Sequence, residues 1–246
     1  MDASALALLG VVVGVLLWRA LMRERRDYAR FKRMRSTVAR QKVYRRWVVE
    51  GMLSLGGLSL AAIVGASASI PRALADAQQW APIAAVRSFL GEPYGPAVAI
   101  AVAVVVLVGL VLPVVVVRES LDEAPAVGDI RALLPRTRGE LRYGAALSVS
   151  AGVFEELLFR LGLPALVVAV TGDAIVAFLG ATLLFGVLHL YQGPLGILFS
   201  TVLGAVFLAL YLVTGSILVP IVLHALVDLR SMVLIPVVLG KAWQKP

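Results

Sequence analysis

The sequence predicts an all-α, polytopic membrane helix bundle of about seven transmembrane helices, and three observations carry that reading. Hydrophobic residues make up 60% of the chain and charged residues only 15%, with a mean hydropathy of +0.93. A soluble domain of this length would lack the polar surface to cover itself in water. Several apolar runs also reach the roughly 20 residues needed to cross a hydrocarbon core of about 30 Å. No stretch alternates apolar and polar residues as a transmembrane barrel strand would.

Taken in order, Ala3 to Leu21 is the first expected span. No basic n-region precedes it, the only charged side chain there being Asp2, and its basic flank follows it, which argues for an uncleaved anchor with the N-terminus outside. The stretch from Arg19 to Arg46 carries twelve basic residues against Glu24 and Asp27. It reads as a cytoplasmic amphipathic helix touching anionic lipid, rather than as a nucleic-acid site, because it sits between two apolar spans. Trp47 to Ile70 is the second span, and residues 71–94, with Pro71, Pro82 and Pro93, read as an external connector. Gly95 to Val117 is the third span, followed by a mixed-charge cytoplasmic segment, 118–142. Tyr143 to about Val170 is the fourth, with Pro164 expected to kink it. Asp173 to Leu190 is the fifth, Pro194 to Val213 the sixth and Ile217 to about Leu239 the seventh. In the sixth, Gly196, Ser200 and Gly204 recur every four residues and suggest a small-residue packing face. Lys241 and Lys245 then fall on the cytoplasmic side of a cell inner (plasma) membrane. Residues 1–142 form an N-terminal part and 143–246 a functional part of one integrated membrane domain.

The chain has no cysteine, which excludes disulfides, thiolate metal sites and a cysteine nucleophile. Arginine far outnumbers lysine and asparagine is absent, the bias of a GC-rich bacterial genome.

Ionisable residues deep in a membrane helix cost at least about 2.5–3.5 kcal/mol each on insertion scales, so they need a reason. Glu155, Glu156, Arg160, His189, His224 and Asp228 occupy three neighbouring spans of the second half. The two histidines are the only ones in the chain. Glu156 and Arg160 are spaced i,i+4 with the acid first, the favourable order for an ion pair. Glu155 is turned by about 100° from Glu156, which leaves it free to face a cavity. His224 and Asp228 share one face of the last span, and Phe185 and His189 have the same spacing on the fifth. Intramembrane acids and histidines also occur in transporters and proton relays. A transporter would more often show two matching halves, and here the polar residues lie only in the second. A non-catalytic scaffold or immunity factor is a further alternative.

The runs Glu155-Glu156-Leu157-Leu158-Phe159-Arg160, Phe185-Gly186-Val187-Leu188-His189 and His224-Ala225-Leu226-Val227-Asp228 resemble, in order, the EExxxR, FxxxH and HxxxN/D motifs of the CAAX protease and bacteriocin-processing (Abi) family of intramembrane endopeptidases. The resemblance covers about residues 143–235. It implies hydrolysis of a peptide bond in a membrane-associated or exported peptide or protein. Glu155 and His189 would activate water, with Glu155 as general base. His224 and the residue at 228 would stabilise the oxyanion, Glu156 and Arg160 would hold the first helix, and Phe185 would shape the pocket. Many members carry Asn at the last position, where the amide can donate a hydrogen bond. An ionised Asp228 only accepts, so here it is either protonated by burial or orients and charges His224 from behind, and the second is expected. No cofactor is required by these roles. A zinc-dependent version, with Glu155, His189 and His224 as a His₂Glu set, is the alternative. The substrate itself is not legible, and prenylated CAAX peptides do not suit a bacterial composition.

Overall fold

A computed structural model of the chain describes residues 3–116 and 128–244. Asp2, Val117, the first part of the mixed-charge segment (118–127) and Lys245 lie outside the described residues.

The described residues are helical almost throughout. The first helix, α1, runs over Ala3–Phe31 and contains a π-helical turn at Arg19–Glu24. It therefore continues ten residues past the expected end of the first span. After a short turn, Ser36 caps α2, Thr37–Gly65, its hydroxyl accepting from the Ala39 N–H. The basic stretch is thus no separate amphipathic helix, contrary to the sequence expectation. It is divided between the end of α1 and the start of α2. Arg, Lys and Gln are good helix formers, so nothing in the charged segment stops either helix. Arg23–Glu50 at 2.6 Å and Arg46–Asp27 at 2.9 Å join the two helices across this end.

Two short helices follow, α3 at Ile70–Gln78 and α4 at Ala81–Leu90, each with a proline in its first turn. The expected connector is therefore helical. Ala73 and Ala77 seat α3 in a cluster with Val168, Phe178, Tyr211 and Leu212. The third span is α5, Gly95–Val116, in which only Gly95 and Val114 are buried.

Helix α6 spans residues 138–171. It begins as Arg138–Glu156, opens into a π turn at Leu157–Gly162 and resumes at Leu163–Thr171. Pro164 was expected to kink this helix. The departure lies in the π turn just before it, where the Leu163 N–H reaches back five residues to the Leu158 carbonyl. Gly172, at φ +72°, ends α6 in the left-handed region that glycine tolerates. Asp173 then caps α7, Ala174–Leu188, accepting from the Ile175 and Val176 N–H groups. Helix α8 covers Gly193–Thr214, and α9 covers Leu218–Val238 with a π turn at Arg230–Leu234.

Among the described residues, five helices are long and apolar enough to cross a membrane: α1, α2, α5, α9 and the 25-residue Leu190–Thr214 stretch that contains α8. The fold is an all-α membrane helix bundle, but the seven spans expected are not shown by length and composition. The shortfall has two sources. The middle of α6 carries Glu155, Glu156 and Arg160, and α7 has only 15 residues.

Two contacts position the functional helices. Gly144, Ser148, Gly152 and Glu156 form a buried stripe along α6. A Cβ on Gly152 would lie 2.9 Å from the Ala225 nitrogen and 3.0 Å from the Ile221 oxygen. One on Gly144 would lie 2.9 Å from the Met232 oxygen. Only glycine lets α9 approach α6 this closely. At the basic end, Arg40 of α2 and Glu140 of α6 form an ion pair at 3.0 Å with neither side chain exposed. Arg40 also donates to the Ala132 and Leu134 carbonyls, and Glu140 accepts from the Arg136 N–H. An Arg40→Ala variant would strand a buried carboxylate, at a cost of about 3–5 kcal/mol. The expected readout is a lowered unfolding midpoint in detergent, and an unchanged midpoint would refute the clamp.

Candidate active site

Glu156 sits at the centre of the polar cluster. It is fully buried, and its two oxygens serve two partners. Arg160 Nε lies 3.0 Å from Oε2, the ion pair expected from the i,i+4 spacing. His224 Nδ1 lies 2.7 Å from Oε1, across the interface that Gly152 allows. A carboxylate beside a guanidinium accepts, so His224 carries its hydrogen on Nδ1. Arg160, 1% exposed, also donates to the Gly204 carbonyl of α8 at 2.8 Å and lies over the Phe185 ring at 5.0 Å.

The other face of His224 looks onto two more carboxylates. Its Nε2 is 3.8 Å from Asp228 Oδ2 and 3.9 Å from Glu155 Oε2. Asp228 was expected behind the imidazole, and the structure corrects this. The carboxylate behind His224 is Glu156. Asp228 lies on the same helix as His224 and therefore flanks Nε2, whereas Nδ1 points across to α6. Phe207 stacks on His224 at 4.9 Å and 20°, and Phe185 meets it edge-on at 6.0 Å. These rings hold the imidazole plane.

His189 ends α7. Its Nδ1 lies 2.8 Å from the Phe185 carbonyl, which only accepts, so the hydrogen is again on Nδ1 and Nε2 is the free ring nitrogen. Phe185 touches His189, His224 and Arg160.

Glu155, His189, His224 and Asp228 all line one cavity of about 650 Å³. Its walls include Phe159, Phe185, Ser200 and Phe207. They also take in Arg19 and Glu24 of α1, Glu50 of α2, and Gly109 and Leu110 of α5. Each of the three π turns among the described residues lines this cavity: Arg19 and Glu24, Phe159, and Arg230 to Met232. A π turn shifts the register of the side chains that follow it, and such turns concentrate at functional sites. Arg230 Nε donates to the Leu110 carbonyl at 2.8 Å and fastens α5 to the wall.

Among the described residues, no three His, Asp or Glu side chains are grouped as ligands of one metal ion.

The sequence reading missed several contributors. Gly144 and Gly152 repeat at eight residues around Ser148, a pattern readable as a close-packing face. Gly196, Ser200 and Gly204 are all buried, as the small-residue packing face requires, but their part in the site carries no sequence signal: Ser200 lines the cavity, while Gly204 gives its carbonyl to Arg160 and faces Phe185. Phe207 carried no signal that would separate it from other apolar residues.

Compared with known families, residues 138–230 match the model described as type II CAAX prenyl endopeptidase Rce1-like. The chain carries an Rce1-like region. That region contains all six polar residues of the cluster, and α1 to α5 lie outside it. No curated protein and no solved structure gave a match.

Proposed function

We propose that this chain is an intramembrane endopeptidase that hydrolyses peptide bonds by a Glu/His-activated water. The observation that carries the reading is the shared cavity of Glu155, His189 and His224, with Glu156 fixing the histidine from behind. Water held between the Glu155 carboxylate and His189 Nε2 gives its proton to Glu155 as its oxygen attacks the scissile carbonyl carbon. The carbonyl electrons move onto oxygen. His224, protonated on both ring nitrogens, donates from Nε2 to that oxyanion while Glu156 holds the Nδ1 hydrogen. Glu155 then returns the proton to the departing amine as the C–N bond breaks.

Asp228 flanks the same Nε2 and balances the imidazolium charge. Asp228→Asn preserves shape and polar contact and should keep a measurable fraction of activity, whereas Asp228→Ala should lose nearly all. An undiminished Ala variant would remove Asp228 from the mechanism.

The reading extends to the whole molecule. Helices α6 and α7 complete seven crossings, with the N-terminus outside and the basic end of α1 and α2 at the cytoplasmic face of the plasma membrane. Those basic residues meet anionic lipid headgroups. The substrate is a membrane-associated or exported peptide or protein, and no nucleic-acid partner is proposed. The deciding experiment reconstitutes purified protein in lipid vesicles with a membrane peptide fraction and follows products by mass spectrometry. New termini are expected with the wild type and not with Glu155→Ala. Identical peptide profiles would favour a non-catalytic scaffold.

A further inference from the structure

We propose that the Ser200 hydroxyl is a second hydrogen-bond donor to the oxygen of the scissile carbonyl, a catalytic residue outside the three polar motifs. The inference rests on the endopeptidase reading above and assigns a further group to that site.

Serine and threonine inside apolar helices usually return their hydroxyl hydrogen to a carbonyl one turn back. This chain follows the rule at Ser59, Ser148, Thr182 and Thr201, which donate to Leu55, Gly144, Phe178 and Ile197. Ser200 departs from it. Its hydroxyl has no hydrogen-bond partner among the described residues, although the adjacent Thr201 has one. Ser200 is also 6% exposed, and it lines the cavity with Glu155, His189 and His224. Its oxygen is not among the fully enclosed polar atoms that lack a partner, so it stays open to the cavity, where a group that enters can take its hydrogen.

Its place in α8 suits that use. Gly204, one turn further on and about 6 Å along the axis, meets Arg160 and Phe185. Phe207 beyond it stacks on His224. In the other direction α8 begins four residues after His189. Ser200 therefore lies between the levels of the two histidines.

The chemistry asks for such a group. Glu155 and Asp228 as carboxylates only accept, so His224 Nε2 supplies one donor, and tetrahedral intermediates are held best by more than one. Ser200 keeps its proton throughout. Water attacks, the carbonyl π electrons move to oxygen, Ser200 O–H and His224 Nε2–H donate to it, and the C–N bond breaks on collapse. No bond to serine forms.

The test uses full-length protein in vesicles and a peptide carrying a cleavage site found by mass spectrometry, together with its thioamide analogue at that bond. Ser200→Ala should lower kcat on the amide by about 100-fold with KM unchanged. The penalty should shrink on the thioamide, because sulfur accepts a weaker hydrogen bond. An unaltered unfolding midpoint accompanies this result. Unchanged kcat, a loss confined to KM, or an equal penalty on both substrates overturns the role of Ser200 while leaving the endopeptidase standing. A wild type that cleaves no peptide overturns both.

Discussion

Glu155→Gln is expected to lower kcat by about 10³-fold, near the middle of the range for losing a general base, with the fold left intact. The expectation comes from how differently the two adjacent glutamates are bound. Glu156 is committed through both oxygens, whereas Glu155 is partly exposed to the cavity and its nearest ionic neighbour is His224 Nε2 at 3.9 Å. Gln at 155 has the same shape and can still hold water, but it cannot take a proton from it. Single-turnover cleavage in vesicles measures the chemical step, and thermal unfolding in detergent checks the fold. A Gln variant with more than a tenth of wild-type kcat would show that another group is the base.

The second large effect is on stability. Glu156→Ala removes the partner of a guanidinium that is 1% exposed and also takes away the acceptor of His224. Truncating one member of a buried pair costs about 3–5 kcal/mol, because the surviving charge is left uncompensated. That is a large part of the stability of an ordinary domain. The variant is therefore expected to accumulate poorly and to unfold at a markedly lower temperature. Replacing both partners together, Glu156→Gln with Arg160→Met, leaves no buried charge behind. It should recover much of the lost midpoint while remaining without activity, since the carboxylate that holds His224 as an imidazolium is gone. If the double variant is no more stable than Glu156→Ala, the pair is not what fixes the middle of α6.

Much of this arrangement was legible in the residues because burying charge in an apolar helix is costly. That cost makes Glu155, Glu156, Arg160, His189, His224 and Asp228 conspicuous, and the 3.6-residue period assigns Arg160 to Glu156 without coordinates. What periodicity within one helix does not contain is the approach of another. The partner of His224 Nδ1 lies on a different helix, at a distance set by Gly152, so Asp228 on the same helix was the natural but mistaken choice. Helix ends were equally hard to read. The basic residues after Leu21 favour helix as strongly as the apolar ones before them, so composition changes where the backbone does not. The π turns left no pattern to read. They replace four-residue hydrogen bonds by five-residue ones, and side-chain type barely registers that change.

The Arg40–Glu140 clamp has a bearing on how the chain can be divided. Glu140 falls within the Rce1-like region and Arg40 far outside it. The same border is crossed where Gly162 leaves room for Ala62 and where Phe154 lies against Gly56. A fragment starting at residue 138 would retain every motif yet carry an orphaned acid, open seams along one side and a chamber lacking three of its walls. Transplanting the motif-bearing helices onto another membrane scaffold should consequently fail unless a substitute for α2 travels with them.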